Sequence, residues 1–137
     1  MGQVIRYIPL LAFVVLAYNV LAAISVDLLD RTLFSLGLLS GKAFIFQVKD
    51  AVIFAGLILL YGELSKATRT TNISIADHTL SLGLLLVCLV ELIVVPFAGT
   101  ATFFLLTVMT LIDVVAGFTI TITGAKRDLN AIPPSAA

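Results

Sequence analysis

The chain has 137 residues, enough for a single domain, with eight basic and eight acidic residues and a formal net charge of zero. This balance gives no indication of a nucleic-acid partner or an acidic substrate. Hydrophobic residues make up 61% of the chain and charged residues 12%, and the mean hydropathy is +1.19, whereas soluble domains carry roughly a quarter charged residues. The composition therefore predicts an integral membrane protein whose first partner is the lipid bilayer.

Four apolar segments predict an all-α membrane protein with a bundle of four transmembrane helices, because a helix that crosses a bilayer needs about 20 mostly apolar residues. The predicted spans cover about residues 8–26, 48–67, 79–98 and 101–123. The second reaches this length only if its helix includes both ends of that range. The first has some features of a signal peptide, but its apolar run of about 19 residues is long for one, and we interpret it as a retained helix.

The connection between the first two segments predicts a β-hairpin. Ser40-Gly41 separates two short runs rich in apolar residues, and this pattern favours a hairpin over about residues 32–47. An interfacial helix is the alternative, against which the glycines of the segment weigh. The hairpin would form an apolar cap on the outer surface or a docking surface for a partner. The tail, about residues 131–137, is expected to be disordered.

The distribution of basic residues predicts the orientation in the membrane. With four spans, both termini and the loop after the second span lie on one side. That side carries five basic residues against three on the other side, so we expect a multi-pass protein with cytoplasmic N- and C-termini.

Two acidic residues, Glu91 and Asp113, lie in the middle of apolar segments. In a hydrocarbon core about 30 Å thick, their predicted heights differ by roughly 6 Å at the rise of an α-helix. Tyr61 falls near the height of Asp113, and Asn19 near that of Glu91, so the four residues predict an intramembrane polar layer. The layer would hold helices together through protonated, hydrogen-bonded acids, bind protons or ions, or contact a partner subunit; we favour the first role.

Asp77 and His78 open the third predicted span and are candidates for a site at the membrane interface. A negative charge at Asp77 suits the positive end of a helix, and His78 is the single histidine of the chain. Glu63 and Lys66 are expected to pair at the membrane surface, being three residues apart on one helix. The sequence shows neither a cluster of ligands at metal-binding spacing nor a catalytic motif, so we expect no cofactor, no metal and no enzymatic activity.

Four short segments resemble a group of small four-span proteins of bacterial inner membranes. They are residues 66–70, 77–78, 103–106 and 113–118, and the resemblance covers most of the chain. It implies a bacterial inner-membrane location, but the group has no assigned activity. We therefore expect a structural or accessory subunit that assembles with itself, as a homo-oligomer, or with a larger membrane complex. The alternative is a small proton- or ion-coupled transporter or channel that uses Glu91 and Asp113.

Overall fold

The computed structural model describes residues 8–68 and 74–130 of the chain, and their side chains at residues 8–68 and 78–127. Four helices and one two-stranded antiparallel sheet follow one another along the chain. They are α1 (Leu11–Ile24), β1 (Thr32–Gly37), β2 (Ala43–Gln47), α2 (Val48–Ala67), α3 (Ser74–Val94) and α4 (Ala101–Asn130). Short 3-10 turns at Val26–Leu28 and Pro96–Ala98 follow α1 and α3.

The last helix, α4, packs against each of the other three. Its apolar core residues, Leu106 and Met109 among them, are buried against α1 and α2. Gly56 on α2 makes this packing close, because a Cβ atom there would lie 2.9 Å from Sδ of Met109. A larger residue at this position would require the Met109 and Leu106 side chains to move, so the glycine allows them to pack directly on α2.

One helix within the described residues, α4 over Ala101–Arg127, is long and apolar enough to cross a membrane. The predicted bundle of four transmembrane helices, and with it the multi-pass pattern, is therefore wrong. The 14 residues of α1 span about 21 Å at helical rise, less than a hydrocarbon core of about 30 Å. The apolar part of α3, His78–Val94, is also too short. The 20 residues of α2 are long enough but include Lys49, Asp50, Glu63 and Lys66.

The predicted hairpin is present as β1 and β2, with Phe34 opposite Phe46 and Leu36 opposite Phe44. Its turn is closed by the Leu38 N–H, which donates to the Lys42 carbonyl at 2.8 Å, and by the Gly41 N–H. Gly41 has a φ of 79°, a left-handed conformation that costs glycine nothing because it has no Cβ. The tail predicted to be disordered, about residues 131–137, lies outside the described residues.

The start of α1 is held by a buried carboxylate of α2. The Leu10 N–H donates to Oε2 of Glu63 at 2.8 Å, and Nζ of Lys66 donates to Oε1 at 3.2 Å. The expected pairing of Glu63 with Lys66 is confirmed. The Glu63 side chain is only 3% exposed and so lies inside the protein. It is buried because it satisfies a backbone N–H that the first turn of α1 leaves without an intrahelical partner.

The middle of α1 is held by Tyr18, whose hydroxyl donates to the Phe97 carbonyl at 3.0 Å and lies 2.6 Å from Oγ1 of Thr100. The Tyr18 hydroxyl has a single hydrogen, so Thr100 is the donor in the second contact. Thr100 also caps α4, since its Oγ1 accepts from the Phe103 N–H at 3.1 Å. The ring of Tyr18 packs on Phe103 with centroids 5.0 Å apart. One side chain thus ties α1 to the turn from which α4 begins.

We expect Tyr18→Phe to lower the free energy of unfolding by about 1–2 kcal/mol, because the ring still packs on Phe103 while Phe97 and Thr100 lose a buried hydrogen-bond partner. Denaturant unfolding in a mild detergent, followed by circular dichroism, measures this change. Tyr61→Phe is the matched control, because that side chain is 75% exposed and its hydroxyl can be solvated. Equal destabilisation by the two substitutions would contradict the assigned role of Tyr18.

Candidate functional site

Asn19 and Glu91 join α1 to α3. Nδ2 of Asn19 donates to Oε2 of Glu91 at 2.9 Å, so these two residues meet at the same height, where the sequence places them. Tyr18, the neighbour of Asn19, is anchored to the turn after α3, and this fixes the rotation of α1 that points Asn19 at Glu91. Within the described part of the chain, Oδ1 of Asn19 is buried without a hydrogen-bond partner.

Asp113 lies at another height of the α3–α4 pair. Cys88 on α3 lies close to Thr110 on α4. Asp113 is three residues after Thr110 on α4, toward the end of the helix pair at which His78 lies. Glu91 is three residues after Cys88 on α3, toward the other end of the pair. The two carboxyl-bearing residues are therefore about 9 Å apart along the helix axes at 1.5 Å per residue. This places them at two levels, where the sequence predicted one polar layer.

Tyr61 does not belong to either level. Its side chain is 75% exposed on the outer face of α2, so the expectation that it joins Asp113 in the interior is wrong. Helical rise gives the height of Tyr61 along α2. The direction of its side chain depends instead on which face of α2 packs on α4. Gly56 and Leu60 define that buried face, and Tyr61 is one residue, or about 100° of helix rotation, past it.

His78, which the sequence predicts to lie at the membrane interface, is buried between α3 and α4; its depth in a membrane stays a prediction. His78 is 4% exposed, and its imidazole occupies the space that a side chain at position 117 would take. A Cβ atom on Gly117 would lie 2.3 Å from Nδ1 of His78. The ring of Phe118 is close by, with centroids 6.0 Å apart. The side chain of Asp77, the other interfacial candidate, lies outside the described residues.

The buried residues His78, Gly117 and Asp113 form a polar patch that we call the α3–α4 site. Asp113 precedes Gly117 by four residues and so lies one turn away on the same face of α4, and its side chain is buried. Within the described part of the chain, Nε2 of His78 has no hydrogen-bond partner. Leaving a buried polar atom unpaired costs about 1–3 kcal/mol, and this nitrogen shares that cost with Oδ1 of Asn19.

The chemistry available to these groups is hydrogen bonding and proton exchange. Glu91 accepts a hydrogen bond from the amide of Asn19. Among the described residues, no group of three or more His, Cys, Asp or Glu side chains is arranged to hold a metal ion. Helical spacing puts Gly117 on the same face of α4 as Asp113, but a glycine in a sequence gives no signal of the ring that packs on it.

Comparisons with protein-family models, with curated proteins and with solved structures found no match. The resemblance to small inner-membrane proteins therefore stays a prediction. The function has to be argued from the contacts and the surface of the described residues.

We expect Gly117→Ala to lower the free energy of unfolding by about 1–3 kcal/mol, the usual cost of overpacking a filled interior. The added methyl group would overlap the His78 ring, which is buried and has little room to move. Gly124→Ala is the matched control on the same helix, because nothing lies within 4 Å of a Cβ atom there. That control should be neutral or stabilising, since alanine favours helix over glycine. Equal stabilisation of both variants would show that His78 does not fill this space.

Proposed function

We propose that this protein is a membrane-embedded structural or accessory subunit that assembles with itself or with a larger membrane complex. The observation that carries the proposal is the exposure of large apolar side chains on all four helices. Examples are Leu16 on α1, Ile58 on α2, Ile93 on α3, which is 82% exposed, and Val115 on α4. Soluble monomers rarely expose apolar patches larger than a few hundred Å². Lipid tails and partner helices would cover this surface.

Polar contacts in the interior support the same proposal. Glu63 with Leu10, Tyr18 with Thr100, and Asn19 with Glu91 each join different elements of the fold. In lipid, burial of apolar surface contributes little to the association of helices, and packing and hydrogen bonds between them take its place. A protein with apolar side chains outside and polar ties inside is suited to that environment.

The C-terminal half of α4 supports an orientation. Lys126 and Arg127 lie exposed at the end of the one helix that is long enough to cross, and basic residues flanking a span are enriched on the cytoplasmic side. We place this end of α4 on the cytoplasmic side of a bacterial inner membrane. The expectation that both termini are cytoplasmic required four crossings, and it loses that basis because one helix among the described residues is long enough to cross. The proposal assigns no catalytic step, cofactor or nucleic-acid partner.

A proton- or ion-coupled transporter or channel is the second candidate, favoured by the burial of Asp113 in the helix that could cross. A central acid costs about 2.5–3.5 kcal/mol on insertion scales, a cost that an apolar residue would avoid. The separation of Glu91 from Asp113 weighs against a shared binding site, because groups about 9 Å apart along the axes would have to act in succession.

The substitutions Glu91→Gln and Asp113→Asn separate the two candidates, because they keep shape and hydrogen bonding while removing titration. For a structural subunit we expect the parent and both variants to have the same native mass in gentle detergent, above that of a monomer. We also expect no flux of protons, sodium, potassium or chloride in reconstituted vesicles for any of the three. The readouts are native mass spectrometry and ion-sensitive dyes.

Two results would contradict the structural role. One is a lone monomer in every gentle detergent tried. The other is flux in the parent protein that disappears in either variant while its native mass stays the same. The second result would establish the transporter or channel in its place.

A further inference from the structure

The hairpin projects from the four helices and is attached to them at its base. The Val48 N–H donates to the Arg31 carbonyl at 3.0 Å, and Nε2 of Gln47 donates to the Asp30 carbonyl at 2.7 Å. Nζ of Lys49 is 2.6 Å from Oδ1 of Asp30, and this hydrogen bond raises the pKa of the Lys49 ammonium group. The base is thus fixed by several contacts, while all of β1 and most of β2 are exposed.

One face of the hairpin is aromatic and uncovered. Side chains opposite each other across a sheet share a face, so Phe34, Leu36, Phe44 and Phe46 lie together. The rings of Phe34 and Phe46 stack with centroids 4.9 Å apart. Phe34, Leu36 and Phe44 nevertheless remain about half exposed. A two-stranded hairpin is at best marginally stable in water, so this face needs a cover.

The hairpin lies at the N-terminal end of the helix that could cross a membrane. A cavity of about 320 Å³ is lined by Asp30 and Lys49 from the hairpin base and by Ala101 and Thr102 from the first turn of α4. If α4 crosses a bilayer, the hairpin therefore lies at the boundary between headgroups and acyl chains. Amphipathic elements that lie in the plane of the interface bury Phe and Leu side chains at that depth.

The charged side chains of the hairpin indicate which partner covers its aromatic face. Residues 31–47 contain Arg31 and Lys42 and no acidic residue, while the adjoining base contains Asp27, Asp30, Lys49 and Asp50. Two basic side chains therefore flank the aromatic face, and the acidic side chains lie at the base. Binding of such an element to a membrane increases with buried apolar area and with attraction of its basic side chains to anionic lipids. A second copy of the chain would meet the first in a symmetric contact, in which Arg31 and Lys42 gain no acidic partner from residues 31–47 of the other copy.

We propose that the Phe34, Leu36 and Phe44 face of the hairpin inserts into the headgroup–acyl boundary of a bilayer that contains anionic phospholipid. Arg31 and Lys42 contact the phosphate groups of the lipid, and the aromatic rings displace water from the first carbons of the acyl chains. The inference rests on the proposed membrane location. It adds a second lipid contact, so the hairpin fixes how deeply α4 sits in the bilayer.

Tryptophan probes test this contact, because the chain contains no tryptophan of its own. The full chain is reconstituted into phosphatidylcholine vesicles with or without phosphatidylglycerol. Quenching is measured with lipids brominated near the headgroup end of their acyl chains. We expect Phe44→Trp to have blue-shifted emission and to be quenched, and more strongly with phosphatidylglycerol present. Ser35→Trp is the matched control on the opposite face and should be quenched much less. Lys42→Glu, added to Phe44→Trp, should remove the effect of phosphatidylglycerol.

Several results would overturn the inference. They are equal quenching of Phe44→Trp and Ser35→Trp, no quenching of Phe44→Trp, or no dependence on phosphatidylglycerol. A blue shift of Phe44→Trp that grows with the protein-to-lipid ratio, in the absence of quenching, would show that a second copy of the chain covers this face.

A third probe, Val115→Trp on the exposed face of α4, separates this inference from the proposed function. Quenching of Val115→Trp by lipids brominated deep in the chain, without quenching of Phe44→Trp, would overturn the hairpin contact alone. Quenching of Phe44→Trp without quenching of Val115→Trp would support the hairpin contact and overturn the membrane-embedded subunit.

Discussion

The rest of the structure depends on the need to pair buried polar side chains within the protein, because burial separates them from water. Large apolar side chains are exposed on every helix, so a polar group in the interior must find its partner on a neighbouring element. Glu63 meets this requirement with the Leu10 N–H and Lys66. Thr107 and Thr110 meet it by donating to the carbonyls of Phe103 and Thr107, one turn earlier in α4.

These pairings determine where the short helix α1 lies. Its start is held by Glu63. Its middle is held by two neighbouring residues, Tyr18 through the Phe97 carbonyl and Asn19 through Glu91. Three polar contacts on different elements leave α1 little freedom to slide or rotate, since each requires one height and one facing direction. Such a helix is suited to holding a fixed shape for assembly. A carrier, by contrast, needs elements with two arrangements of similar free energy.

The sequence predicts those features that depend on local signals. Ser40-Gly41 between two apolar runs specifies the hairpin, because the turn needs a left-handed residue and Gly41 supplies it. The shared height of Asn19 and Glu91 follows from helical rise alone. The number of crossing helices was predicted wrongly, because an apolar run does not show where its helix ends, and α1 ends at Ile24 before a 3-10 turn. Tyr61 was misplaced because the exposure of a side chain depends on which face of its helix another helix covers.

The central claim is that the apolar exterior is covered by lipid, and alkaline carbonate extraction of membranes from cells that express the chain tests it most directly. An embedded protein stays in the membrane pellet, because removing its apolar surface from lipid into water costs about 25 cal/mol per Å². We expect the full-length chain to remain in the pellet through carbonate and urea washes and to enter solution only with detergent. Release of folded, monomeric protein into the carbonate supernatant would contradict the account.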